Sequence, residues 1–569
     1  MPSNLLSNMP PFAIFYIAAL FVPFLRGRVR SALMLAVPIV SFFFLLNLDP
    51  TPNPTELNIL GYTLNPVRVD KLSMLFGYLF HIAGFIAIMF SLHVKDTGQH
   101  IAGLTYIGSA LGAVFAGDLI SLFVFWELLA ITSVFLIWAR GTQRAINSGL
   151  RYLLIQVGSG VLLLAGSVMH IYETGSIEFS FIGMEGGLSS WLILLAFGIK
   201  CAFPFMHNWL TDAYPEATPT GTVFLSALTT KVAVYVLARS FAGTEFLVYV
   251  GCAMAVFPIF YAVIENDLRR VLAYSMINQI GFMVCGIGIG TDLAINGAVA
   301  HAFNDVIFKG LLMMSMGAVL HQTGKINGSE LGGLYKSMPF TTVFCIIGAA
   351  SISAFPLFSG FVSKAMVMSA LLYEHYNVVW LFMLFSAAGV FHHAGIKIPF
   401  FAFFAHDSGI RVPKPPINML IAMAIGAVLC IGIGCFPQVL YQLLPYDKEY
   451  HPYDGTHILT QLQLLFFSAA AFVFLNLKGL YPPELPSVNL DFEWLYRKVI
   501  PWAVGGFGAV IAAVDSNFRK LFVAGLNRFL KGVGETFGEK GLMGRTWATS
   551  TMAIWAAILL GVCLLIYYS

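Results

Sequence analysis

Apolar runs of about twenty residues, divided by charged or Pro/Gly-rich breaks, recur along almost the whole chain. They predict about sixteen transmembrane helices, centred near Ile17, Ile39, Ile82, Ala110, Phe125, Leu163, Leu195, Ala227, Phe257, Gly281, Phe308, Ile347, Leu384, Ile425, Ala470 and Ala557. The Ile347 segment runs on, broken, to Leu371, and the split between the fourth and fifth helices rests on Gly117 and Asp118 alone. Residues 478–545 depart from the pattern, being too polar to span yet periodic. Phe507, Val510, Ile511, Val514, Phe518, Leu521 and Phe522 recur at helical spacing with Arg519 and Lys520 among them, which predicts an amphipathic helix lying along the interface. The expected organisation is N-terminal helices (1–100), a first five-helix repeat (101–240), a second (245–405), additional helices (406–477), the interfacial segment (478–545) and a final span (546–569). The first apolar run has no basic lead-in and no small-residue cleavage site, so it reads as a retained helix.

Composition agrees with this pattern. With 58% hydrophobic and only 10% charged residues and a mean hydropathy of +0.81, the chain reads as an all-α polytopic membrane protein. A net charge of +3 without any basic block or reading module excludes nucleic-acid binding. The seven cysteines all lie in apolar segments without CxxC spacing, and no metal or cofactor site is expected. Adjacent His392 and His393 point to different helix faces, which argues against metal ligation. The basic loops (Arg26–Arg30, Arg140–Arg151, Arg269–Arg270, Lys325–Lys336 and Arg411–Lys414) all fall on one side of a sixteen-span arrangement. That side is expected to be cytoplasmic, with both termini facing out.

Against this background the buried charges stand out. Lys200 lies near the middle of an apolar segment, where a charge costs roughly 2.5–3.5 kcal/mol on insertion scales. Pro204 follows by four residues and should break the helix there, freeing backbone carbonyls. Glu127 and Lys231 are equally enclosed, and the Glu127 charge needs a cationic partner or neutralisation by a proton. His301, Asp305 and Lys309 stand at i, i+4 and i+8, on one face of one helix. Lys364 follows a second break at Pro356, and Lys397 is a last intramembrane lysine, nearer the cytoplasmic end. His207, close to the first break, reads as a hydrogen-bonded path or structural residue. One Glu–Lys pair could be structural; the whole series is better explained as a proton relay, because an ammonium group in low dielectric releases and regains its proton near neutral pH. The two Pro-broken segments fall in the fourth helix of each five-helix group, the signature of an inverted repeat. Asp118 and Asp305 are the only acids worth testing as a sodium site, and Asp118 reads first as a solvated loop residue.

Seven stretches carry a resemblance: FWELL at 125–129, KCAFPFMHNWLTDA at 200–213, LSALTTKVAVY at 225–235, ENDLRRVLAYSMINQIG at 265–281, HAFNDVIFKGLL at 301–312, LGGLYKSMP at 331–339 and SAFPLFSGFVSK at 353–364. In family order, they resemble the large antiporter-like subunits shared by Mrp-type cation/proton antiporters, the proton-pumping subunits of respiratory complex I, and membrane-bound hydrogenases. The resemblance implies a proton path in which Glu127 pairs with Lys200, Lys231 hands on to Lys309, and Lys364 is the terminal group. It implies partner membrane subunits in the same complex and, as exchanged ions, H+ with Na+ or K+. Asp305 stands where many relatives have a second histidine. The combination of Lys231 with Lys364 looks most like the D-type Mrp subunit, whereas the C-terminal extension resembles longer complex I and hydrogenase-associated subunits. The expected function is proton translocation in a multisubunit Na+/H+ antiporter of a prokaryotic plasma membrane. A non-redox pumping subunit of an NADH:quinone oxidoreductase-like or hydrogenase complex, or an energising subunit for inorganic-carbon uptake, is the alternative.

Overall fold

The computed structural model describes residues 9–48, 57–59, 61–485, 489–541, 543–544 and 546–568. It resolves into two units, residues 1–489 and 490–569. The first begins with α1 (Pro11–Phe21) and α2 (Gly27–Leu46), then a short hairpin of β1 (Leu57–Ile59) and β2 (Tyr62–Leu64) that the hydrophobic pattern did not predict. Five helices follow, of which α5 carries Glu127 and α7 ends on Lys200: α3 (Lys71–Ser91), α4 (Thr97–Phe115), α5 (Leu119–Trp138), α6 (Gln143–Thr174) and α7 (Leu188–Lys200). After the break come α8 (Asn208–Ala213), α9 (Gly221–Ala227), α10 (Thr229–Ser240), α11 (Phe246–Ile264), α12 (Leu268–Ile289) and α13 (Asp292–Thr323). The second break separates α14 (Pro339–Ile352) from α15 (Ser359–Tyr373), and α16 (Asn377–Val390), α17 (Ile417–Cys435), α18 (Gln438–Tyr441) and α19 (Gly455–Leu477) complete the unit. Among the described residues, 13 helices are long and apolar enough to cross a membrane. The protein is a multi-pass membrane chain, helical apart from that short hairpin and the connecting loops.

Local chemistry sets the helix ends. Gly117 and Asp118 do separate α4 from α5, but Asp118 is no solvated loop residue. It is 1% exposed, and its carboxylate accepts from Ser121 N at 2.6 Å, Ser121 Oγ at 2.7 Å and Asn65 N at 2.7 Å, capping the first turn of α5. Beyond α16 the helix widens into π turns at Phe391–Lys397 and Phe400–Phe404, flanking Pro399, which has no N–H to continue an α ladder.

The two predicted breaks share one conformation. Ala202 and Phe205 have φ of 61° and 69°, and Ala354 and Leu357 have φ of 57° and 73°, each pair bracketing its Phe-Pro dipeptide. Their turns also close alike: Phe203 N donates to Gly198 O at 3.0 Å and Phe355 N to Ala350 O at 3.0 Å. Left-handed backbone at residues other than glycine costs of order 1–3 kcal/mol each and persists only where surrounding packing imposes it. Gly360 is part of that packing, since a Cβ there would overlap Ser351 O.

The loops after α5 and before α12 meet at one end of the bundle. There Glu216, 6% exposed at its side chain, receives Arg144 at 2.8 Å, Arg140 at 3.4 Å and Arg270 at 3.8 Å. Fully buried Arg269 donates to Tyr214 O, Ala217 O and Thr218 O, and Arg151 grips Asp212 through two bonds of 2.8 and 3.0 Å.

The second unit holds α20 (Ile500–Phe537) and α21 (Thr549–Tyr568). At 1.5 Å per residue, the 38 residues of α20 make a rod of about 57 Å. The segment Leu495–Phe537 contains an 18-residue window apolar enough for a span. Its composition therefore does not by itself bar it from the bilayer, contrary to the reading of 478–545 as too polar to span.

Candidate functional site

Lys200 is the last residue of α7 and fully buried. Its ammonium donates to Trp126 O at 2.6 Å and lies 4.5 Å from the centroid of the Trp126 ring. The Trp126 indole in turn donates to Ser159 Oγ at 3.0 Å, and Ser159 Oγ donates to Ala196 O at 2.7 Å, which ties α5, α6 and α7 together around the lysine. The expected Glu127–Lys200 pair is not closed into a direct contact: the two charges interact through space, and Glu127 Oε1 is buried without a hydrogen-bond partner. The carboxylate sits where only a glycine leaves room for it. A Cβ at Gly160 of α6 would overlap Glu127 Oε1, so the α6 glycine makes its seat.

Lys231 follows an interruption that the hydrophobic pattern did not reveal. The chain leaves α9 and enters α10 through Leu228 at φ −108° and ψ −69°, with Thr229 N donating to Tyr106 OH at 3.1 Å. Lys231 Nζ donates to Ser226 O at 3.1 Å and stands 2.6 Å from Asp305 Oδ2. Both side chains of this ion pair are 0% exposed. Neither Asp305 oxygen makes an aligned hydrogen bond, so the contact is held by charge.

His301, Asp305 and Lys309 share one face of α13, as their spacing predicts, but they do not bond to one another. Each reaches a different neighbour. His301 contacts Ser363 Oγ at 3.0 Å and Gln279 Oε1 at 3.2 Å, Asp305 pairs with Lys231, and Lys309 donates to Ser275 Oγ at 2.8 Å. At the second break Lys364 donates to Ile352 O at 2.8 Å, a carbonyl left free where α14 ends, and lies 5.1 Å from the Phe282 ring.

Lys397 sits apart from this row. Its ammonium donates to Ala262 O at 3.3 Å, Val263 O at 2.6 Å and Glu265 O at 2.6 Å, and pairs with Glu484 at 2.9 Å. It thus caps the C-terminal carbonyls of α11. His207 is buried against the Phe257 ring at 4.7 Å. Among the described residues no group of three or more His, Cys, Asp and Glu side chains is placed to hold a metal ion.

Sequence reasoning missed the partners that seat the charges: Trp126, Ser275, Gln279, Ser363, Glu484 and the Leu228 interruption. Trp126, Ser275, Gln279 and Ser363 lie inside the family-like stretches, but nothing in the letters says which neutral oxygen will face which ammonium.

A family profile described as "NADH:quinone oxidoreductase/Mrp antiporter, TM" matches residues 116–391. Curated relatives include the A-type subunit of a Na(+)/H(+) antiporter of Alkalihalophilus pseudofirmus, 30% identical over 75% of this chain and 60% of that protein. The A1-type subunit of a Na(+)/H(+) antiporter of Staphylococcus aureus is 29% identical over 72% of this chain and 58% of that protein. The chain therefore spans about 60% of the length of the relatives it matches. Both relatives are of the A type, where the lysine pattern had looked most like the D type. Two solved structures share the fold. A chain of the membrane-bound sulfane sulfur reductase, an archaeal respiratory membrane complex, aligns with a TM-score of 0.71 at 21% identity, over 98% of this chain and 99% of that one. A chain of the Mrp complex from Dietzia sp. DQ12-45-1b aligns with a TM-score of 0.68 at 19% identity, over 83% and 100%.

Proposed function

We propose that this chain is an antiporter-like membrane subunit of the kind shared by NADH:quinone oxidoreductases and Mrp antiporters, and that it translocates protons in a multisubunit Na+/H+ antiporter. The observation that carries the reading is the Lys231–Asp305 pair, 2.6 Å apart and 0% exposed, with three more buried lysines on the same helices and their neighbours. Lys200, Lys309 and Lys364 are each held by neutral oxygens rather than by a fixed counter-charge. With no fixed carboxylate bound to it, a lysine in that setting has only neutral oxygens to offset the desolvation of its charge, so its proton can leave and return. Lys231 differs in having Asp305 beside it, and movement of that carboxylate between Lys231 and Lys309, one helical turn further on, alters which lysine keeps its proton. At the other end, rotation of Glu127 toward Lys200 closes the pair that stands open here and draws a proton onto Lys200.

In this reading His301 polarises the stretch between Lys309 and Lys364, and the two Phe-Pro breaks are the matching hinges of an inverted five-helix repeat spanning 101–240 and 245–405. The basic end of the bundle faces the cytoplasm, both termini face out of a plasma membrane, and other membrane subunits complete the complex. The test is fluorescence-monitored proton exchange in vesicles holding the whole complex, with sodium or potassium added. Sodium-triggered proton movement that is lost in Lys200→Ala and Glu127→Ala supports the antiporter. If proton movement awaits an electron donor, the same lysines belong to a redox-driven pump and the cation-exchange reading falls.

A further inference from the structure

Lys364 does not end in packed protein. It lines a cavity of about 300 Å³ between α15, α16 and the first turns of α19, together with Ser369, Thr456, His457, Thr460 and Gln461. A water molecule takes about 30 Å³ of the liquid, so several fit, and the polar side chains supply partners for them. Gln461 anchors the α19 side by donating to Ser353 O at 3.0 Å, another carbonyl freed by the second break.

His457 lines the same cavity and is 32% exposed at its side chain. Its Nδ1 lies 2.6 Å from Asp454 Oδ2, which is half exposed. A carboxylate only accepts, so Nδ1–H donates, and in the neutral ring Nε2 is left to accept from Ser369 Oγ at 3.1 Å. Ser369 Oγ also lies 3.0 Å from Tyr450 OH. The titratable groups around His457 are therefore Asp454 on its own helix end, Tyr450 in the preceding loop and Lys364 across the cavity on α15. The faces presented by α12 and α16 are Phe282 and Trp380, Leu384 and Ala387, none of which titrates.

We propose that this cavity is the port through which the proton carried by Lys364 meets solvent, with His457 as the group that passes it across the mouth to Asp454. A proton taken up at Nε2 from the cavity is balanced by release of the Nδ1 proton to the Asp454 carboxylate and from there to water. The ring then resets by turning over. The inference rests on the lysine relay proposed above, and it assigns to α19, outside both five-helix groups, a part in transport.

The test uses the complete complex in vesicles. His457→Ala is expected to slow proton translocation by about a hundredfold, the usual worth of a positioned acid–base group, and added imidazole to restore much of it. His457→Gln keeps a hydrogen-bonding side chain without a titrating ring and should be as slow, so a folding defect in the alanine variant cannot explain the loss. In a Cys435→Ser, Cys563→Ser background, Ser369→Cys is expected to react with a membrane-impermeant thiol reagent from one side of the membrane only. Wild-type rates in both His457 variants, with Lys364→Ala inactive, overturn the port while leaving the relay intact. Wild-type rates in Lys364→Ala as well would remove the relay itself. Failure of Ser369→Cys to react from either side also overturns the port.

Discussion

Replacing Asp305 by leucine removes the counter-charge from Lys231 and leaves an ammonium with 0% exposure whose hydrogen bond goes to one carbonyl, Ser226 O. At 2.6 Å and an effective dielectric of about 20, the attraction lost is about 6 kcal/mol. Each ion gave up several kcal/mol of hydration to be buried, so the intact pair is worth little against an apolar pair of similar volume, whereas breaking it costs about 3–5 kcal/mol. Asp305→Leu and Lys231→Met should therefore each destabilise the chain by about 3–5 kcal/mol, and the double variant should return close to wild type. The assay is unfolding of the purified full chain in detergent for the four members of the cycle, with proton translocation measured in parallel. All three variants should fail to translocate, which separates stability from transport. Additive losses in the double variant, or a stable Asp305→Leu single, would show that the two groups are not both charged and would refute the argument.

Three further outcomes follow from other parts of the structure. Gly160→Ala should displace the Glu127 carboxylate and slow transport by about 10–100-fold without touching an ionisable residue; Gly158→Ala, which meets open space, should not. Lys397→Met should cost about 3–5 kcal/mol by stranding Glu484 and the α11 carbonyls, yet leave proton translocation per assembled complex unchanged. In the loop after α16, hydrogen bonds from Arg411 and Lys336 hold the Asp407 carboxyl well below the usual carboxylate range. Its folded value being depressed, the clamp contributes fully above the unfolded carboxylate value and is lost only as pH falls through the folded one. Hydrogen exchange of residues 406–410 should accordingly rise in strong acid, and that step should vanish in Asp407→Asn.

Much of this protein can be read one residue at a time. Spans are legible because the bilayer imposes a length and an apolar composition that any window can register, and the 13 qualifying helices follow from it. Both Phe-Pro breaks are legible because proline removes a hydrogen bond whatever surrounds it. So is the identity of the charges, since an ionisable group at membrane depth is conspicuous by its cost. Partnership is another matter. Asp305 meets Lys231 on a different helix, not its own neighbours His301 and Lys309; Lys200 meets Trp126 O while Glu127 waits unpaired; Lys397 turns out to cap α11. The Leu228 interruption carries no proline or glycine to announce it. Helical spacing fixes which side chains share a face, but a face can be turned toward any of several helices, and the choice is made by glycine-mediated close approaches and by carbonyls that the breaks set free. Those are properties of the packed bundle, where one helix supplies the oxygen that another helix's charge requires.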